Sequence, residues 1–382
     1  MSLSLCLTGA EVLTPSGLAD TPLCLSDGVI IDEAPAREVD LSGYLILPGL
    51  VDAHGDAFEK HLAPRRGAMK DLDQGLIVAE AELAANGITT ATLAQFYSWE
   101  GGMRGPDFAR RVLESLDDIR PRVGTDLRVQ LRFEISMLDD YATIADWITR
   151  YAIPYLVFND HLPHDLLAKG KTPPGHVGKS LRIGKNPDRH LEDIHALHAG
   201  MEAVPAALDA LCTQLADMPV RLGSHDDSTA AQRAAWTARG VHIAEFPETA
   251  EAAEAARASG APIVLGAPNV VRGGSHKGNA SALDLIAMGL CDALASDYHY
   301  PSMRRAAFLL ADGGLMDFAA TWGMISSGPA QLLGLSDRGT LTPGQRADLV
   351  ILDATTRDIC ATLSGGQVTY MKGKVADRFI AA

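Results

Sequence analysis

Eight short apolar segments recur through the middle of this chain, each separated from the next by a helix-compatible stretch, and that repetition constrains the fold more than any other feature. The segments are Leu45 to His54, Ile88 to Ala94, Leu127 to Ile135, Tyr155 to His161, Val220 to His225, Val241 to Phe246, Ile263 to Pro268 and Ala293 to Tyr298. Apolar runs that alternate with helices predict parallel strands joined by crossover helices. Eight such units predict a (β/α)8 TIM-type barrel, whose reactive groups sit at the C-terminal ends of the strands. An open doubly wound sheet is the alternative. It would usually carry a glycine-rich phosphate loop after its first strand, and neither G-x-G-x-x-G nor a P-loop occurs there.

The two ends of the chain read differently. Residues 1–46 give short β segments with turns at Pro15-Ser16-Gly17 and Ser26-Asp27-Gly28, and residues 339–382 give a turn, an apolar strand and a further strand pair over 366–373. We expect these ends to combine into one small β-sandwich domain (1–46 with 339–382) beside a barrel domain (47–338). Residues 162–190 read as a long polar loop, which in a compact domain is often functional.

Hydrophobic residues make up 47% of the chain and charged residues 21%, and no apolar run is long enough to span a bilayer. The N-terminus alternates apolar residues without a basic leader, which reads as a strand and not a signal peptide. The net charge of −15 argues against nucleic acid or anionic membrane as a partner. Cys6, Cys24, Cys212, Cys291 and Cys360 are scattered and form no C-x-x-C, so neither a disulfide framework nor a zinc knuckle is expected, and a reducing cytoplasm fits best.

The strand ends carry the chemistry. The first expected strand ends in His54-Gly55-Asp56, and strand periodicity turns a His and an Asp two residues apart to one face. The third ends at Glu134, the fourth at His161, the fifth at His225 and the eighth at Asp297. Buried carboxylates are costly unless paired or metal-bound, so such a ring predicts a cation. The nitrogen and carboxylate donors suit Zn, Mn or Fe. With Glu134 able to bridge, His54, Asp56 and Asp297 on one side and His161 and His225 on the other predict two divalent ions, and Asp297 is the candidate catalytic base.

Leu47-Pro-Gly-Leu-Val-Asp-Ala-His54 and Leu341-Thr-Pro-Gly-Gln-Arg-Ala-Asp-Leu-Val-Ile-Leu-Asp353 resemble segments of the amidohydrolase superfamily. Within it, His54-Gly-Asp-Ala-Phe-Glu-Lys-His61, Ser224-His-Asp-Asp-Ser-Thr229, Gly266-Ala-Pro-Asn-Val-Val-Arg-Gly-Gly-Ser-His-Lys-Gly-Asn279 and Ser296-Asp-Tyr298 resemble the PhnM family of phosphonate metabolism. That resemblance implies hydrolysis of α-D-ribose 1-methylphosphonate 5-triphosphate to the 5-monophosphate and diphosphate, with the same six residues holding the metals. Hydrolysis of a cyclic amide or deamination of a small heterocycle is the alternative on the same scaffold, and a catalytically dead scaffold is a third reading.

A small anionic phosphorylated substrate needs positive charge near the site. Residues 169–189 supply Lys169, Lys171, Lys179, Arg182, Lys185 and Arg189 against the single acid Asp188. With Lys60, Arg65, Arg66, Arg272 and Lys277 they form the expected phosphate clamp. His276, a second candidate catalytic group, and Asn279 fall in a glycine-rich turn after the seventh strand, where they could meet phosphate oxygens. His190, His195, His198 and His242 read as surface or packing residues. Homo-oligomerisation is left open by the sequence.

Overall fold

The computed structural model describes residues 3–33, 35, 37–63, 71–274 and 280–382. Its central sheet has eight strands whose order follows the chain without interruption. These are Leu50–Gly55, Ile88–Tyr97, Asp126–Glu134, Tyr155–Asn159, Arg221–His225, Ile243–Glu245, Ile263–Gly266 and Ala293–Ala295. The fold is the expected (β/α)8 barrel. Strands such as Tyr155–Asn159 and Ile263–Gly266 are buried at every position and read as continuous apolar runs, whereas Asp126–Glu134 alternates polar and apolar residues.

The chain divides into two compact units. One comprises Met1–Leu93, Ser115–Arg128 and Pro262–Ala382, and the other comprises Ala94–Glu114 and Val129–Ala261. In the first unit the opening barrel strand pairs in parallel with the second, and the seventh pairs with the eighth. A parallel bridge between Gly55 and Asp297 then joins the eighth strand's end to the first, which excludes the open-sheet alternative. In the second unit, strands three to six pair in parallel, with Glu134 opposite Asn159 and His225 opposite Glu245.

Both termini also contribute sheets within the first unit. A six-stranded sheet runs Gln367–Met371, Ile359–Ser364, Leu349–Asp353, Tyr44–Pro48, Glu11–Thr14 and Gly17–Asp20. A four-stranded sheet contains Val29–Ile31, Leu23–Ser26, Leu5–Thr8 and Glu38–Asp40. Leu5, Leu7, Leu25, Ile46, Leu349, Ile351 and Leu363 are fully buried in the core that these strands share.

Four expectations need correction. The expected first strand is two strands, because Tyr44–Pro48 pairs antiparallel with Leu349–Asp353 in the terminal sheet and only Leu50–Gly55 enters the barrel. Residues 162–190 are not a loop but hold helices His164–Leu167 and His176–Arg182 and the start of Pro187–Ala199. Asn186 caps the last of these by accepting from Arg189 N at 3.0 Å, with Pro187 at its first position. Cys6 and Cys24 form a disulfide, because antiparallel pairing sets two cysteines 18 residues apart directly opposite each other. Finally, the strand Gln367–Met371 gives way to the helix Gly373–Ala381, whose Val375 and Phe379 are buried. No helix among the described residues is long and apolar enough to cross a membrane.

Candidate functional site

In the first unit, one ligand atom from each of His54, Asp56 and Asp297 lies within 4.8 Å of the others. The backbone fixes them. Asp297 N donates to His54 O at 2.9 Å, and Asp56 N donates to Asp297 O at 3.0 Å. Asp297 reaches this place with a left-handed φ of 53°, unusual for a residue with a side chain and a mark of positions held by surrounding structure. A register shift between Asp52 and Gly55 interrupts the pairing of the first strand where His54 sits, and irregularities of this kind re-aim side chains beside active sites.

Beneath this group is Asp52, which is fully buried. Its Oδ1 accepts from Ser296 N at 3.0 Å and His54 N at 3.3 Å, and its Oδ2 accepts from Ser296 Oγ at 2.5 Å. One carboxyl thus ties the ends of the first and eighth strands together. Burial pushes its pKa up, against the hydrogen bonds from Ser296.

The second unit holds another donor group, in which one ligand atom from each of His161, His225 and Asp226 lies within 4.8 Å of the others. Glu134 is fully buried at the end of the third strand. Its Oε2 accepts from His161 N at 3.0 Å, and its Oε1 meets His161 Nδ1. His225 Nδ1 lies 2.8 Å from Glu245 Oε1, while Arg132 Nη2 lies 2.9 Å from His225 Nε2. With Arg132 donating, Nε2 is the lone-pair side of the ring and Nδ1–H donates to Glu245. Burial and the adjacent Arg132 guanidinium hold His225 below the ordinary imidazole range, so the ring is neutral, and an ion at Nε2 would take the place of the Arg132 hydrogen bond. Glu245 Oε2 also accepts from Gln130 Nε2 at 2.6 Å and Tyr155 OH at 3.2 Å. Arg132 lies 3.9 Å from the Phe96 ring centroid.

Imidazole nitrogens and carboxylate oxygens converging at this spacing fit a divalent ion, since each set offers two kinds of hard-to-borderline donor and no thiolate. All six expected ligands are therefore found in such groups or touching one. Asp226 and Glu245 were not singled out from the sequence, although each carried a signal. Asp226 follows His225 directly, and Glu245 is an acid at the end of an expected strand, the same pattern that selected Glu134.

Only part of the expected phosphate clamp lies among the described residues. Lys60 Nζ donates to Glu82 Oε1 at 2.7 Å and lies 5.8 Å from the Tyr300 ring centroid. Arg272 ends the helix Ala267–Arg272, which replaces the first part of the expected turn, and its Nη1 donates to Tyr298 OH at 3.4 Å. Lys169, Lys171, Lys179, Arg182, Lys185 and Arg189 are all exposed. Arg65, Arg66, His276, Lys277 and Asn279 lie outside the described residues.

Comparison with known proteins adds the following. Residues 193–375 match the model of the family described as "Amidohydrolase family". The alpha-D-ribose 1-methylphosphonate 5-triphosphate diphosphatase of Escherichia coli (strain K12) is 32% identical over 322 residues, 82% of this chain and 84% of that protein. A putative prolidase from Bifidobacterium longum superposes with a TM-score of 0.65 at 15% identity, covering 100% of this chain and 98% of its own. A mutant atrazine chlorohydrolase from Arthrobacter aurescens, complexed with zinc and atraton, gives a TM-score of 0.61 at 14% identity over 99% of this chain and 98% of its own. At such identities the two structures speak for the fold alone.

Proposed function

The chain belongs to the amidohydrolase superfamily, within its PhnM family, and on that premise we propose that this hydrolase uses divalent metal to cleave α-D-ribose 1-methylphosphonate 5-triphosphate, releasing diphosphate. The substrate reading is supported by the Escherichia coli relative, which matches over most of both chains. The observation that carries the metal-dependent reading is the convergence of His54, Asp56 and Asp297 within 4.8 Å.

In this proposal His54, Asp56 and Asp297 hold one ion, and Glu134, His161 and His225 hold a second. A divalent ion bound there lowers the pKa of a water molecule and offsets charge on a phosphoryl oxygen. The chain's own groups do the rest. Asp297, fixed through its backbone to His54 and Asp56, accepts the proton of the attacking water. Glu245 holds the His225 tautomer that leaves the lone pair on Nε2, where an ion would replace the Arg132 hydrogen bond. Arg272 and Lys60 are the described cations proposed to meet phosphate oxygens, with Arg65, Arg66, Lys277, Asn279 and the catalytic candidate His276 completing the set.

The test is diphosphate release from the ribose 5-triphosphate by protein loaded with Zn, Mn or Fe, run beside a panel of cyclic amides and aminated heterocycles. Turnover of the panel without diphosphate release sinks the substrate assignment. Asp297→Asn is expected to lower turnover by roughly 100-fold or more while most of the metal stays bound, as general-base loss does. Unchanged turnover would remove Asp297 from the mechanism.

A further inference from the structure

Within the second unit, a cavity of about 710 Å³ opens beyond the ends of the second and third barrel strands, against the helix Pro187–Ala199. None of the candidate metal ligands lines it. Three polar atoms of its lining residues are buried without a hydrogen-bond partner among the described residues: Trp99 Nε1, Ser136 Oγ and His190 Nε2. His190 and Ser136 are 4% and 3% exposed. Native proteins seldom leave buried polar atoms unpaired, so three such atoms on the residues lining one cavity point to a molecule that pairs them.

What that molecule offers follows from what the three atoms can do. Trp99 Nε1 only donates. With Ser180 Oγ giving its proton to His176 O at 2.9 Å, His190 Nδ1, 2.8 Å away, donates to that hydroxyl. His190 then presents a bare lone pair on Nε2 and only accepts. Burial, and then the nearby Lys185 charge, hold His190 below the ordinary imidazole range, which keeps it in this neutral form. Ser136 can do either.

The walls narrow the class further. The Trp99 and His190 rings lie 6.3 Å apart, and Phe108 and Ile194 add apolar surface suited to a flat ring. The charged lining residues are Asp107, Asp139, Asp140 and Asp193 against Lys185 alone, and Lys185 is 3.6 Å from Asp193. Such a rim disfavours anions. The volume falls within the range of about 300–1,000 Å³ that small-molecule sites occupy.

We propose that this cavity binds an uncharged, aminated nitrogen heterocycle of nucleoside size, with its amino group donating to His190 Nε2 and a ring nitrogen accepting from Trp99 Nε1. The occupant is recognised by a donor and an acceptor on one planar edge, and it is not the polyanion proposed for the metal-binding groups.

Calorimetric titration of metal-loaded protein with adenosine tests this, repeated after chelation of the metal. Adenosine is expected to bind equally in both preparations. Purine riboside, which lacks the amino group, and ATP, which carries the charge, are each expected to bind about tenfold more weakly. Trp99→Phe keeps a ring and deletes the N–H, and it is expected to cost about tenfold in adenosine affinity with the thermal midpoint unchanged. Ser136→Ala gives a second reading should Trp99→Phe fold poorly. No binding in the millimolar range, equal affinity in both variants, or loss of binding on chelation overturns the proposal.

Discussion

Glu245 shows how much a single buried side chain can decide through its hydrogen bonds. It is 1% exposed, and it fixes His225 through Nδ1 at 2.8 Å while Gln130 and Tyr155 satisfy its other oxygen. Partners of this kind typically change metal affinity 10–100-fold when altered. Glu245→Gln is therefore expected to weaken binding of one divalent ion by about that factor in a competitive chelator titration, with the fold intact. Equal affinity would show that His225 does not depend on this carboxylate for its role. Asp348 makes the case for stability instead. It is 2% exposed, accepts from Gly365 N at 2.7 Å and lies 3.3 Å from Arg346 Nη1, yet burial outweighs these partners and pushes its pKa from 3.8 to about 6. A carboxyl whose pKa is raised on folding keeps a proton that the unfolded chain has already released. Stability must then fall as pH rises from about 4 to about 6 and level off above, by roughly 3 kcal/mol for two pKa units. Urea denaturation across that window is expected to show this slope, and Asp348→Asn is expected to flatten it.

At the scale of elements, three barrel strands end in the same unusual way. Asp226, Phe246 and Asp297 follow the fifth, sixth and eighth strands closely and have φ of 59°, 52° and 53°. Side-chain-bearing residues in this region cost about 1–3 kcal/mol each, and they persist where surrounding structure holds them. They fall immediately beyond His225 and Glu245, and at Asp297 itself, so one adjoins an expected ligand and another is one. Strand pairing has a second consequence in the terminal sheets. Leu5–Thr8 and Leu23–Ser26 run antiparallel and set Cys6 opposite Cys24. Closing a loop of 18 residues restricts the unfolded chain, and by loop-closure entropy that contributes about 3 kcal/mol. Thiol titration in denaturant without reductant is expected to find three reactive thiols, not five, and reductant is expected to lower the thermal midpoint. Five thiols would mean that the pair stays reduced.

At the scale of the whole molecule, the barrel depends on one residue without a side chain where its last strand meets its first. A Cβ at Gly55 would stand 2.6 Å from Asp52 Oδ2 and 2.9 Å from Ser296 Oγ, inside the hydrogen bonds that tie those strand ends together. Overpacking of this kind costs about 1–3 kcal/mol. Gly55→Ala is expected to lower the thermal midpoint and to weaken metal binding together, because the bridge to Asp297 and the donor group share the same backbone. A lower midpoint with full metal affinity would separate the closure from the site.

What the sequence by itself determined was periodicity and the identity of strand ends. Apolar runs such as Tyr155–Asn159 are long enough to be strands and too short to be helices, and Glu134 and His225 are the last residues of two barrel strands, with His54 the last but one of a third. Both signals are local, so composition and spacing carry them. Tertiary structure decided what depends on residues far apart in the chain. Only pairing with Leu349–Asp353 draws Tyr44–Pro48 out of the barrel, and only the sheet brings Asp52 to Ser296 or Cys6 to Cys24. The polar segment 162–190 folded into helices for the same reason. His190 is buried there with its ring 6.3 Å from that of Trp99, and Trp99 also packs against the cluster of Leu162, Leu167 and Ile194, all of them more than 60 residues further along the chain. No window of sequence shows those contacts, because a histidine's neighbours are set by packing and not by spacing.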